Sequence, residues 1–407
     1  MTDVKEQYET YPYPARDPAD EDKRLVTGSP SNVAEIDHYL FAGARDWSKP
    51  FKVLVAGGGT GDGLIMLAQQ LADRNCPADI TYVDLSEASR KIAEARATRR
   101  GLSNITFKTG SLLSAPLLGT FDYIDCCGVL HHLPDPDTGF AALSAALAPG
   151  GGMGLMVYGS VGRRGVYDAQ AMLQALEKDG ERPEAQVEIA KRMLGELPNS
   201  NWFKLNPFVS DHKDNDAGLY DLLLHSQDRA YTVPEIYGAL DQAGLDVVSF
   251  IAPINYDPEL LISDAKIKAR LTRLDRRQRH AFAELFTGNL RKHAFYCGHK
   301  SDGAEARTAV FAEDMIPILQ EVDVTTLQKL AEGGGPLKGN REGLPVEQPL
   351  PPLMQQILPL CDGSRSFEGI RLAIKPEPPR GAFYDQMRLA YRTLNGLNFM
   401  LLKKPAG

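Results

Sequence analysis

AGGGTGDG, Ala56–Gly63, places five glycines in eight positions, directly after the apolar run VLVA, Val53–Ala56. A short apolar run ending in glycines reads as a buried parallel strand opening into a turn. Glycine has no Cβ, so the main chain here can approach a ligand closely and take positive φ. At the carboxyl end of the first strand of an open α/β sheet, such a loop marks the ligand crevice. The spacing is G-x-G-x-G over Gly57, Gly59 and Gly61. The dinucleotide fingerprint G-x-G-x-x-G fails, because its last position is Asp62. A pyrophosphate seated at the following helix N-terminus would meet that carboxylate and be repelled.

A ligand without phosphate, carrying an ammonium and a sulfonium, suits the loop better, and S-adenosylmethionine is one. The second strand supports a nucleoside: TYVD ends at Asp84, about 20 residues past the loop, where an acid accepts both ribose hydroxyls. Taken alone, that aspartate is shared with NAD-binding folds and identifies adenosine rather than the cofactor.

Outward from the loop, strands and helices alternate. LIMLAQQL sets Leu64, Leu67, Ala68 and Leu71 at helical spacing, and SEASRKIAEARATRR reads as a helix capped by Ser86. ITFK and FDYIDCCGV read as strands three and four. TGFAALSAAL is a helix stopping at APGGG, and MGLMVY is strand five. This order predicts a doubly wound parallel sheet with helices on both faces. Residues 159–230 break the pattern and read as a helical insertion. TVPEIYGALDQAG, LDVVSFIAP and HAFYCGH then supply a helix and strands six and seven. Between those strands the spacing predicts one long basic amphipathic helix over Asp264–Leu290.

At 407 residues the chain exceeds what one core usually serves. The expected division is an N-terminal arm or lid over 1–50, the α/β domain over 51–300, and a small C-terminal α(+β), winged-helix-like domain over 301–407. Within the last, EGGGPLKGNREGLPVEQPLPP reads as an exposed linker or long loop. Hydrophobic residues make up 43% of the chain, enough for a sizeable core, and the net charge of −8 argues against wholesale nucleic-acid binding. Five cysteines without CxxC spacing fit a reducing compartment. With no apolar h-region and no membrane-length apolar run, the expectation is a cytoplasmic protein without membrane contact.

VLVAGGGTG, VDLS, TGSLL, FDYIDCCGVLHHLPDP and LAPGGGMGLMVYG, in that order and spacing, resemble the successive motifs of class I S-adenosylmethionine-dependent methyltransferases. The resemblance covers about 51–158 strongly and extends to about residue 300. It implies a Rossmann-like, mostly parallel seven-stranded sheet. It also implies a cofactor site in which Gly57, Gly58, Gly59 and Gly61 border the methionine and ribose. Asp84 and Leu85 take the ribose edge, Ser111 and Leu112 flank the adenine, and Cys127 and Gly128 line the methyl-donor pocket. Two positions depart from the family. Many members carry an acid in strand one where Val55 stands, so the methionine ammonium requires another partner, Asp62 or a backbone carbonyl. Many also carry an aspartate where Ser111 stands, and a hydroxyl accepts more weakly than a carboxylate.

Other residues divide between packing and chemistry. Cys126 and Cys127 read as packing, since buried thiols behave as small hydrophobes; no metal is expected. His131 and His132, at the edge of strand four, and His225 are the candidates for a base. Tyr8, Tyr11, Tyr13 and Arg16 belong to a packed arm or to a lid, with Tyr13 and Arg16 as substrate contacts. Asp221, Asp228 and Tyr231, in the segment before strand six, are further substrate candidates. Three functions stay open: methyl transfer to a small molecule or protein nucleophile, RNA methylation through the basic helix and C-terminal domain, and non-catalytic cofactor binding.

Overall fold

The computed structural model describes Glu9 and residues 12–178, 180–213, 215–225, 227–333, 335–341 and 343–405; Tyr8 and Tyr11 lie outside them. Strands β1 (Phe51–Ala56), β2 (Ala78–Asp84), β3 (Ile105–Thr109), β4 (Phe121–Cys127), β5 (Leu147–Tyr158), β6 (Leu245–Phe250) and β7 (Lys292–His299) form one sheet in the order β3-β2-β1-β4-β5-β7-β6. The pairs β1–β2, β1–β4, β2–β3 and β4–β5 are parallel. The order reverses between β1 and β4, so their carboxyl ends diverge there and open the crevice that open α/β sheets use for ligands. Val53, Leu54, Val55 and Ala56 are all buried, as a strand covered on both faces must be.

The helices follow their local signals. Helix α1 (Val33–Leu40) precedes the sheet, and α2 (Asp62–Asp73) leaves the glycine loop with Leu64, Leu67, Ala68 and Leu71 buried. Helix α3 (Glu87–Arg99) is capped by Ser86, whose Oγ accepts from Ser89 N at 3.0 Å. After α4 (Pro136–Ala146) and β5, the insertion contains α5 (Val166–Leu176), α6 (Pro183–Glu196) and α7 (Asp216–Leu223) around its own apolar cluster of Val166, Leu173, Val187, Phe203 and Leu219. Helix α8 (Val233–Gln242) begins in a full capping box of Thr232 and Glu235.

The chain forms two compact units: Met1–Asn32 with Trp47–Leu245 and Gly288–Ala294, and Val33–Asp46 with Asp246–Thr287 and Phe295–Gly407. The division is thus not linear along the chain. Residues 33–46, expected in the arm, cluster with residues beyond 300. In this second unit Glu35 is buried, accepting from Tyr296 Oη (3.0 Å), Gln320 Nε2 (3.0 Å) and Asn398 Nδ2 (2.8 Å).

Two expectations change here. The long basic helix is two helices, α9 (Ala265–Leu271) and α10 (Arg276–Thr287). Asp275 and Gln278 cap the second reciprocally, Gln278 N to Asp275 Oδ1 at 2.9 Å and Asp275 N to Gln278 Oε1 at 3.0 Å, and so start a new helix inside the apolar period. The Gly/Pro-rich linker is a hairpin of β8 (Leu337–Arg341) and β9 (Leu344–Gln348); Leu337, Val346 and Gln348 turn inward and Asn340 Oδ1 accepts from Gly343 N in the turn. Composition had hidden its period of two. Among the described residues no helix is long and apolar enough to cross a membrane.

Candidate active site

The glycine loop closes against β2 and β4. Gly57, Gly59 and Gly61 have φ of +72°, +51° and +99°. A Cβ on Gly57 would stand 2.5 Å from Val129 Cγ2, and one on Gly58 would collide with the Tyr82 ring. Tyr82 Oη donates to Gly59 O at 2.6 Å and fixes the loop's height above the sheet. The loop's N–H groups are already committed: Gly57 and Gly58 to Val83 O (2.8 and 3.3 Å), Gly59 to Asp84 Oδ2 (2.8 Å), Gly61 to Gly58 O (3.0 Å). A phosphate would therefore find carboxylates at this loop and no main-chain donor from these four residues, the reverse of a phosphate cradle. A cationic, phosphate-free nucleoside meets neither obstacle.

Asp84 sits at the end of β2 with Oδ1 accepting from Ser86 N at 2.8 Å, and each carboxylate oxygen retains acceptor capacity for a diol. Burial raises its pKa, opposed by these main-chain donors. Leu85 beside it is 39% exposed, an open apolar edge. Ser111 Oγ accepts from Leu113 N at 3.2 Å and caps a short turn in which Leu112 is buried. Cys127 ends β4 half-buried, and Gly128 turns at φ +76° with its N–H on Met156 O. Burial pushes the Cys126 and Cys127 thiols up, so both stay protonated.

The N-terminal arm is tied across the loop. Thr60 Oγ1 donates to Pro14 O at 2.8 Å, and Tyr13 O lies 3.2 Å from where a Gly59 Cβ would be. Arg16 grips Asp62 with both Nε (2.8 Å) and Nη2 (2.6 Å). Arg96, 1% exposed, reaches Thr60 O and Asp62 Oδ1 at 2.8 Å each and Glu21 Oε1 at 2.6 Å. Asp62 is thus held by two guanidiniums, which lower its pKa against the raising effect of burial. Both arginines compete with an ammonium for this carboxylate, and Arg16, expected at a substrate, braces the loop.

Beyond β4 the structure gathers a second group. His131, His132, Tyr158, Asp221, His225 and Asp228 converge with Arg163, all but Asp228 and Tyr158 buried. The His132 ring stacks on His225 at 3.8 Å, and His131 lies 3.9 Å from the Tyr158 ring. Tyr158 Oη donates to Asp221 Oδ2 at 2.9 Å; Arg163 lies 3.8 Å over the Tyr158 ring and pairs with Asp228 at 2.9 Å. Gln170 Nε2 donates to the same Asp228 oxygen at 3.0 Å. His132 Nδ1 lies 2.7 Å from Gln227 O; a carbonyl only accepts, so Nδ1 carries a proton, and in the neutral ring the lone pair falls on Nε2. Burial pushes His225 down to about 2 and His131 well below its ordinary value, keeping both neutral. Burial also raises Asp221, against the pull of His132.

Two overlapping trios, His131–His132–Asp228 and His132–Asp221–His225, bring ligand atoms within 4.8 Å of one another. The hydrogen bonds disfavour a metal. His225 Nδ1 accepts from Gln227 N at 3.1 Å, which puts its proton on Nε2, and Arg163 already neutralises Asp228. Tyr231 stands apart: its N–H on Tyr158 O pins the segment, while its fully buried ring packs toward Phe140. Arg163, Tyr158 and Gln170 were not singled out from sequence. Their one signal is GSVGRRG, a glycine turn with arginines directly after strand five.

A family model described as a methyltransferase domain matches residues 54–153. It spans the loop, Asp84, Ser111, Cys127 and the two histidines that follow β4. The chain belongs to the class I S-adenosylmethionine-dependent methyltransferases. Likeness to other proteins extends beyond that core. An uncharacterized protein of Synechococcus, syc1184_c, is 31% identical over 309 residues, 72% of this chain and 71% of its own. The ubiquinone biosynthesis O-methyltransferase of Chromobacterium violaceum is 34% identical over 102 residues, covering 25% of this chain and 41% of that enzyme. Among solved structures, PKMT2 from Rickettsia typhi superposes with a TM-score of 0.64 at 16% identity, over 94% of this chain and 76% of that one. Its complex with AdoHcy gives 0.63. As a methyltransferase the chain is an enzyme whose cofactor is S-adenosylmethionine, and the non-catalytic reading opened by Val55 and Ser111 falls away.

Proposed function

We propose that this methyltransferase acts on an amine or hydroxyl that arrives protonated, carried by a small polar molecule or a protein side chain, and that His132 takes its proton. S-adenosylmethionine, when bound, supplies a methyl already activated on sulfonium. What is left for the protein is alignment, exclusion of water and disposal of one proton. The observation that carries this reading is the hydrogen bond from His132 Nδ1 to Gln227 O, which fixes the neutral ring's tautomer with its lone pair on Nε2. Asp221, held by Tyr158, offers the negative charge that favours the imidazolium formed on proton transfer.

The acceptor's route is the helical insertion. A cavity of about 250 Å³ among α5, α6 and α7 is lined by Gln170, Leu173, Glu177 and Glu181 and reaches His225 and Asp228. Its acidic walls favour a cationic or neutral acceptor over an anionic one. Three arginines of the basic segment expected to grip RNA are engaged by the protein itself: Arg276 donates to Val247 O and Val248 O, Arg277 pairs with Asp246, and Arg279 with Asp257 and Glu259.

The test is transfer of tritiated methyl from labelled cofactor into fractionated lysate. Label in protein or in small metabolites is expected, with His132→Gln lowering the rate about a hundredfold or more while cofactor binding persists. Label in RNA, or full activity without His132, overturns the proposal.

A further inference from the structure

The cofactor brings an α-ammonium, and Asp62 is already paired with two arginines. One carboxylate in the same unit is in the opposite condition. Asp125 lies in β4, directly opposite Val55 of β1 in the strand register, so the two side chains share a face of the sheet. Asp125 is 3% exposed. Its Oδ2 accepts from Ser31 Oγ at 2.7 Å and from Tyr123 Oη at 3.3 Å, and the Cys127 thiol is a third donor. None of these donors carries a positive charge.

Burying a carboxylate without a cation is costly, and neutral donors repay that cost only in part. Burial accordingly pushes Asp125 up to about 6, with Ser31, Cys127 and Tyr123 opposing. Hydrophobic packing would have been served as well by a valine, the residue across the register. The location is specific too. A Cβ on Gly63, in the first turn of α2, would stand 2.6 Å from Ser31 Oγ and 3.4 Å from Asp125 Oδ1. The carboxylate therefore lies beneath the start of the helix that leaves the glycine loop. Through Cys127 it joins the end of β4, where the methyl-donor pocket opens.

We propose that Asp125 is a positioning residue for the cofactor, the counter-charge to the α-ammonium at its amino-acid end, placed on β4 where Val55 leaves β1 without an acid. The inference rests on the glycine-loop crevice as the cofactor site and is independent of the acceptor.

Calorimetry with two ligands tests it. S-adenosylhomocysteine carries the amino-acid end; 5′-methylthioadenosine shares the adenosine and thioether and lacks it. Asp125→Asn keeps the shape and removes the charge. It is expected to weaken S-adenosylhomocysteine about tenfold and to leave 5′-methylthioadenosine within about twofold. The exchanged pair Val55→Asp with Asp125→Val is expected to regain most of the loss. Because the comparison is a ratio of two affinities within one folded protein, a general loss of stability does not imitate it. Equal weakening of both ligands, or no weakening of S-adenosylhomocysteine, overturns the proposal. If neither ligand binds the unaltered protein, the crevice assignment itself fails.

Discussion

Replacing Arg96 by methionine removes the cation that holds the N-terminal arm and the glycine loop together. The side chain is 1% exposed, and its guanidinium contacts Glu21 Oε1, Thr60 O and Asp62 Oδ1 at 2.6–2.8 Å. Methionine keeps much of the stem's packing, so the loss is chiefly electrostatic. Breaking a buried pair from one side typically costs about 3–5 kcal/mol, because the partner charge stays buried and unpaired. Here the partners are not wholly abandoned: Glu21 keeps Arg100, and Asp62 keeps Arg16. Thr60 O loses its donor outright. We therefore expect a destabilisation of roughly 2–4 kcal/mol. Both tryptophans, Trp47 and Trp202, belong to the same compact unit as Arg96, so tryptophan fluorescence in urea follows that unit. With a denaturant slope of about 3 kcal/mol/M, the midpoint should fall by about 1 M. A shift smaller than about 0.2 M would refute the reasoning, showing that the arm is held without this hub.

Asp125→Asn should also change stability with pH. Folding raises this carboxyl from 3.8 to about 6, so the folded protein binds the proton more tightly than the unfolded chain. Stability is therefore lost as pH rises through that interval, and the penalty is complete above about 6. The cofactor-free variant should be more stable than the parent at pH 8, by up to roughly 3 kcal/mol, and lose the advantage near pH 4; a thermal melt series checks it, and a pH-independent difference refutes the charge argument. Tyr82→Phe removes the 2.6 Å bond to Gly59 O and should weaken S-adenosylhomocysteine about three- to tenfold with little change in folding, as titration calorimetry would show. Arg163→Met should lower turnover without altering cofactor affinity, because Arg163 holds Tyr158 and Asp228 and reaches nothing in the glycine loop among its described contacts; an equal loss in cofactor binding would contradict that separation.

The crevice of glycine loop and Asp84 was legible because its determinants are local. Glycine spacing, an apolar strand before it and an acid at the next strand end all lie within Val53–Asp84. The second group was legible only in pieces. His131 and His132 follow a readable strand, but Asp221, His225 and Asp228 reach them from the insertion through contacts some 90 residues distant, which no period encodes. Tyr158 passed as the end of a strand, and Arg163 as part of the helical insertion that follows it. The surroundings of Asp62 were hidden for the same reason: its neighbours in sequence give no hint of Arg16 and Arg96. Composition misled at the Gly/Pro-rich stretch, where turn residues obscured a hairpin, and periodicity misled at α9–α10, where a capping pair interrupts an unbroken apolar pattern.

The most direct measurement is titration calorimetry of S-adenosylhomocysteine and of NAD against the unaltered protein and Asp84→Ala. S-adenosylhomocysteine should bind the parent and lose at least about tenfold in affinity when the Asp84 carboxylate is removed, while NAD binds neither. Binding that is indifferent to Asp84, or a crevice that takes the diphosphate instead, would contradict the account at its base.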